Sequence, residues 1–132
     1  MRALGIEFAS SQMTFVLVET TGSGQLSVSG SNRISLSATR SSDALRAFQS
    51  AVQTLLNDMA PDLIAIKEKP EKGAMQAGAA ALKMEGIVLA NAPCPTKFVS
   101  GARINKCDEA ASSLHAYYQP AFKAAAAALT DE

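Results

Sequence analysis

Glu7 stands inside the otherwise apolar run Ala3-Leu4-Gly5-Ile6-Glu7-Phe8, and Lys67-Glu68-Lys69 closes a second run, Asp62-Leu63-Ile64-Ala65-Ile66. An unpaired buried carboxylate is expensive, so Glu7 belongs either in a cleft or against a cation. Two chemistries fit it: a metal ligand, or the acidic half of an ion pair with Lys67. Glu68 reads first as a solvated charge at a strand end and second as a site residue. A further acidic pair, Asp108-Glu109, lies far along the chain. On its own, Asp108 suits the first turn of a helix, where an acid favours the helix dipole. Lys67, Lys69, Lys72, Lys97, Arg103 and Lys106 fall near predicted strand ends, where basic groups could face phosphate. Glu68, Glu71, Asp108 and Glu109 interleave with them, which is also the pattern of an ordinary mixed-charge surface.

Other reactive side chains are few. His115 is the only histidine, beside Leu114, and reads as a surface or packing residue before a general base. A zinc site is not indicated without further histidines or a CxxC motif. Cys94 and Cys107 share no paired spacing, so reduced thiols are expected, with Cys107 beside Lys106 read as a buried, inert thiol. Tyr117, Tyr118 and Phe122 fall at helical spacing and read as core or interface before base-stacking platforms. The polar turn Ser10-Ser11-Gln12 lacks the glycines of a phosphate loop.

Composition narrows the classes. The 132 residues make one compact domain spanning 1–132, with 48% hydrophobic and 18% charged residues. Twelve basic and twelve acidic side chains cancel, so no global attraction to nucleic acid or anionic lipid is indicated, although a local basic patch remains compatible. No apolar run approaches the roughly 20 residues that span a bilayer. The opening residues are interrupted by Glu7 too soon for a signal-peptide core. A cytoplasmic protein with no membrane partner is expected.

The elements that position these groups follow from pattern. Ala3 to Phe8 and Met13 to Val18 read as strands, and Gly22-Ser23-Gly24 as the turn into a third. There Ile34, Leu36 and Ala38 alternate with Arg33, Ser35 and Ser37, as in an edge strand wet on one face, with Gly30-Ser31-Asn32 as a bulge site. Ser41 or Ser42 offers an N-cap, Asp43 suits the first turn, and Leu45, Phe48, Val52, Leu55, Leu56 and Met59 make an amphipathic helix that Pro61 stops. The run at 62–66 reads as a central strand buried on both faces, whose end is where a site in an open α/β sheet would lie. A helix rich in small residues is expected from about Ala74 to Ala92, and a short strand from Thr96 to Val99. The final helix is expected from Ile104 or Asn105, carrying Ala110, Ala111, Leu114, Tyr117 and Phe122, with a kink or break at Pro120.

Three strands, helix, strand, helix, strand, helix is the order of an α/β, mixed five-stranded sheet with flanking helices. With an acid in the first strand, that order resembles the ribonuclease H-like fold, most closely its branch containing the RuvC Holliday-junction resolvases. Leu4-Gly5-Ile6-Glu7 resembles the opening strand of that family, Asp62-Leu63-Ile64-Ala65-Ile66 the strand leading into a catalytic Glu, and Ala77-Gly78-Ala79 through Glu85-Gly86-Ile87-Val88 the small-residue helix after it. Asp108-Glu109-Ala110-Ala111 with Leu114 resembles the start of its last helix, which carries the remaining acids. The whole chain also looks like the small bacterial family DUF3010.

The resemblance implies a nuclease that gathers carboxylates around two Mg²⁺ ions about 4 Å apart. Carried over, Glu7, Glu68 and Asp108 would be catalytic and hold metal, Glu109 would assist, and Lys67, Lys69 and Lys106 would contact nucleic acid. Lys67, however, occupies the second acid's position, with Glu68 one residue late, and Ala111 occupies the other acid position of the last helix. A one-residue shift along a strand turns a side chain to the opposite face. The expectation is therefore a RuvC-like nucleic-acid protein, either a divergent Mg²⁺-dependent nuclease or a non-catalytic descendant. The alternative is a structural, homo-oligomeric interaction module, with the small-residue helix and the alanine-rich C-terminal helix as its faces.

Overall fold

The computed structural model describes residues 1–70, 78–107, 109 and 114–130. A five-stranded sheet in the order β3-β2-β1-β4-β5 forms its middle. β1 (Arg2–Ala9) turns through Ser10-Ser11 into β2 (Gln12–Thr20), with Ser10 in the left-handed region at φ 54°. The polar pair thus makes a tight antiparallel hairpin, with Glu7 opposite Thr14. β3 (Leu26–Ser35) pairs antiparallel with β2 as an edge strand. Its bulge falls between Leu17 and Val18 of β2, opposite Ser29, one residue ahead of the glycine that marked it in the sequence. β4 (Leu63–Lys67) is the apolar run at the centre and lies parallel to β1, and β5 (Thr96–Val99) lies parallel to β4.

α1 (Ser42–Met59) forms for local reasons. Ser41 caps it by accepting from the Ala44 N–H at 3.1 Å, and Phe48, Val52, Leu55 and Leu56 supply the buried stripe. Ala60 ends it in the left-handed conformation at φ 45°, before Pro61. α2 (Ala79–Asn91) packs beside α1 and buries Ala81, Met84 and Val88; the expected start of this helix, 74–77, lies outside the described residues. Both helices cover one sheet face, in a core containing Leu4, Ile6, Phe8, Ile64 and Ile66.

The opposite face is covered differently from expectation. One continuous helix from Ile104 does not form: α3 (Gly101–Lys106) ends early, a 3₁₀ turn occupies Ala116–Tyr118, and α4 (Gln119–Thr130) follows. Pro120 therefore starts the last helix rather than kinking it. In a first turn its missing N–H has no intrahelical acceptor to lose. The run Ala124–Ala128 is buried against β1, β2 and β4 rather than offered to a second copy. Gly5 shows why alanine is used: a Cβ at Gly5 would run into the backbone carbonyl of Ala121 and stand 3.0 Å from the Ala125 Cβ. Helix backbone rests almost directly on strand backbone, a separation that only small side chains allow. Among the described residues, no helix is long and apolar enough to cross a membrane.

Candidate functional site

Register places one residue from each strand in a row across the α4 face. Arg33 lies opposite Thr14, and Thr14 opposite Glu7. Ile6 pairs with Ile66, which brings Lys67 beside Glu7, and Lys67 pairs with Val99. The row runs Arg33, Thr14, Glu7, Lys67, Val99, near the carboxyl ends of the parallel strands β1, β4 and β5. Thr14 and Val99 are buried beneath the covering layer, and Arg33 is exposed at the edge.

Glu7 and Lys67 form an ion pair in the middle of this row. The Lys67 ammonium donates to Glu7 Oε2 at 3.1 Å, with only 16% of the Glu7 side chain and 28% of the Lys67 side chain exposed. Of the two chemistries open to Glu7, this geometry favours the pair. An ammonium in direct contact takes up the charge that a divalent ion would need, and it occupies the space beside the carboxylate.

Glu68 lies on the other side of the sheet. Its backbone N–H donates to the Val99 carbonyl at 2.8 Å, so the ladder continues one residue past β4 and the side chains keep alternating. The exposed Glu68 side chain accordingly lines a cavity of about 550 Å³ on the α2 side, with Lys69, Glu85, Leu89 and Phe98. The sheet itself therefore separates Glu68 from Glu7, and Lys69, two residues past the end of β4, lines the same cavity as Glu68. Asp108 lies outside the described residues; Glu109 is exposed, and Lys106 is exposed in the last turn of α3. The helix lying over β1 is α4, whose only charged residue is Lys123. Among the described residues, no three His, Cys, Asp or Glu side chains gather as a metal site. Among the described residues, the row holds one carboxylate, Glu7, and it is already bound to a lysine.

Arg103 reaches the carbonyl of Ala127 at 3.2 Å, near the negative end of α4, which gives this cation an internal role. Cys94 is half-buried, and burial, followed by the charge of Asp62, pushes its thiol above the ordinary range. The aromatic residues divide. Phe122 is core at 3% exposure, whereas Tyr117 is 39% exposed and takes part in a surface stack. His115 lies 4.2 Å from Tyr117 and Tyr118 4.5 Å from it, ring centre to ring centre, with the Arg33 guanidinium 4.2 Å above the Tyr117 ring. The Tyr118 phenol is pushed up by burial first and then by its hydrogen bond and charge interaction with Tyr117, against the pull of Arg33, so it is neutral at physiological pH. Sequence pattern assigned Arg33 to a wet face and Tyr117 to a helix. The signal that joins them is strand register, which the bulge at Ser29 shifts by one.

A family model matches residues 1–128 and is described as a protein of unknown function, DUF3010. The chain belongs to the DUF3010 family. No curated protein is significantly similar to it. Among solved structures, Thermus thermophilus RuvC has a TM-score of 0.78 at 14% identity, covering 98% of this chain and 94% of that one. RuvC of the same organism in complex with Holliday junction substrate has a TM-score of 0.75 at 15% identity, over 98% and 94%. The fowlpox virus resolvase, solved with substrate Holliday junction DNA, has a TM-score of 0.60 at 8% identity, over 98% and 97%. The DUF3010 chain therefore has the RuvC-like, ribonuclease H-like fold: a mixed five-stranded sheet with flanking helices.

Proposed function

We propose that this DUF3010 protein engages nucleic acid on the α4 face of its sheet without cleaving it. The Lys67–Glu7 ion pair carries the reading. A RuvC-like nuclease needs a second carboxylate beside the first-strand acid. Here a lysine fills that position, and the neighbouring acid, Glu68, lies across the sheet. Binding is supported by the fold shared with two resolvases solved on Holliday junctions, and by Arg33 and Lys67 in one cross-strand row. In the catalytic version of this reading, Asp108 would have to join Glu7, and Mg²⁺ would have to displace Lys67.

The test uses purified protein with a labelled four-way junction. Binding is read at several salt concentrations, because phosphate contacts weaken steeply as salt rises. Cleavage is read with millimolar Mg²⁺ or Mn²⁺. The expected result is salt-sensitive binding with intact strands. Cleavage lost on Glu7→Gln would overturn the non-cleaving reading, and no binding at low salt would overturn nucleic-acid engagement altogether.

Pairing of two copies forms a second reading, favoured by one observation. Leu45, Gly86, Ile87 and Ala90 form the apolar floor of a groove of about 460 Å³ between α1 and α2, rimmed by Arg46, Gln49 and Lys83, and a Cβ at Gly86 would meet nothing. A single mass across a wide concentration range in light scattering would exclude it if that mass is one chain's.

A further inference from the structure

The surface stack beside the row uses side chains that the ion pair leaves aside. His115, Tyr117 and Tyr118 come from the segment leading into α4, and Arg33 comes from the edge strand β3. The segments are remote in sequence, and the fold brings them together over β2 and β3. Tyr117 is held from several sides, yet 39% of it faces solvent. Arg33 is held as well, donating to Gln12 Oε1 at 3.2 Å while its guanidinium covers the ring. A flat, pre-ordered ring capped by a cation has already lost the rotamer freedom that binding would otherwise remove.

We infer that Arg33, Tyr117 and His115 form a stacking platform for an unpaired base of a nucleic-acid strand. The inference rests on the nucleic-acid reading above and adds the form of strand recognised. An aromatic face accepts any base, and an arginine beside it adds cation–π attraction and a contact for the backbone. The same row carries Lys67 three strands away, roughly 14 Å across the sheet at the usual strand spacing. A strand crossing the row would therefore meet the platform at the exposed β3 edge, before the covered centre. Arg33, His115 and Tyr118 already crowd the faces of the Tyr117 ring, so the base stacks on the exposed outer sides of Arg33 and His115, which Tyr117 holds in place. A paired base hides both faces in its own stack and has none to offer them. Single strands, or the open centre of a branched structure, are thus favoured over duplex.

The experiment measures affinity by fluorescence anisotropy for a labelled twelve-nucleotide oligo-dT and a duplex of equal length. Wild type is compared with Tyr117→Phe, Tyr117→Ala and Tyr117→Leu, and circular dichroism confirms that each is folded. Tyr117→Leu keeps apolar bulk under Arg33 and serves if the alanine variant does not fold. Expected is a loss of roughly tenfold for single strand in the alanine and leucine variants, near wild-type binding for phenylalanine, and little change for duplex. The slope of affinity against salt should be unchanged by Tyr117→Leu, since stacking releases no counterions. A folded alanine or leucine variant with wild-type single-strand affinity, or equal losses on both probes, would overturn the platform and leave nucleic-acid binding standing. If the wild type binds neither probe nor a junction, the platform and the broader reading fall together.

Discussion

Removing the lysine from the central ion pair gives the sharpest check on the site. In Lys67→Met, Glu7 remains mostly buried with its cation gone. At 3.1 Å and an effective dielectric of about 20, the pair attracts by about 5 kcal/mol before solvation is counted. Desolvation offsets much of this in the intact protein, but that cost remains for Glu7 once its partner is removed. Both side chains keep some water, so the loss should fall below that of a fully buried pair, at about 2–3 kcal/mol. For a domain of this size, that lowers the melting temperature by about 6–15 °C. The assay is thermal and urea unfolding of wild type, Lys67→Met, Glu7→Gln and the double variant. Neutralising Glu7 in the Lys67→Met background should recover most of the loss, giving a coupling above about 1.5 kcal/mol. A Lys67→Met protein within about 0.5 kcal/mol of wild type, or strictly additive losses, would refute the claim that the pair fills the site.

Three further outcomes follow from the same geometry. Gly5→Ala sets a methyl against the Ala121 carbonyl and should cost at least about 3 kcal/mol, read as lost soluble yield or a lower urea midpoint. Ala60→Gly relieves a left-handed C-cap at φ 45° and should raise stability by roughly 0.5–1 kcal/mol, measured by urea unfolding. Burial raises the thiol of Cys94, so its thiolate is scarce at neutral pH. Its alkylation, followed by peptide mass spectrometry, should be slower at pH 7 than for an unperturbed thiol and keep accelerating as pH rises past the ordinary thiol range.

Much of the frame was legible in the chain because each signal was local. Ser41, Asp43 and Pro61 bounded α1, and the continuous apolar run marked the central strand; the alternating run overshot the edge strand, which ends at Ser35 and leaves Leu36 and Ala38 beyond it. The candidate position at the end of β4 was legible too, as was the conflict between Lys67 and Glu68, because the two-residue period fixes opposite faces for neighbours. The last third was less readable. Alanine-rich sequence is helical wherever it falls, so it could not show where α4 starts. Pro120 suits both a break and a beginning, and only packing against Gly5 selects the beginning. That choice also left Glu109 outside the helix over β1, with Lys123 as that helix's only charge. The Arg33–Tyr117 contact joins residues far apart in the chain, through a register that one bulged residue resets.

The close seating of α4 on Gly5 also bears on how the chain comes to be folded during synthesis. Strands β1, β2 and β4 are made early, together with α1 and α2, which can cover one side of the sheet at once. The other side, with Ala3, Val16, Val18, Leu63 and Ala65, waits for residues 119–130. At about 5–20 residues per second, the ribosome leaves that apolar surface uncovered for several seconds after β4 has emerged. Until α4 is made, the sheet keeps one apolar face open to water. A nascent chain stalled before Gln119 would present the cell with a sticky, half-covered sheet.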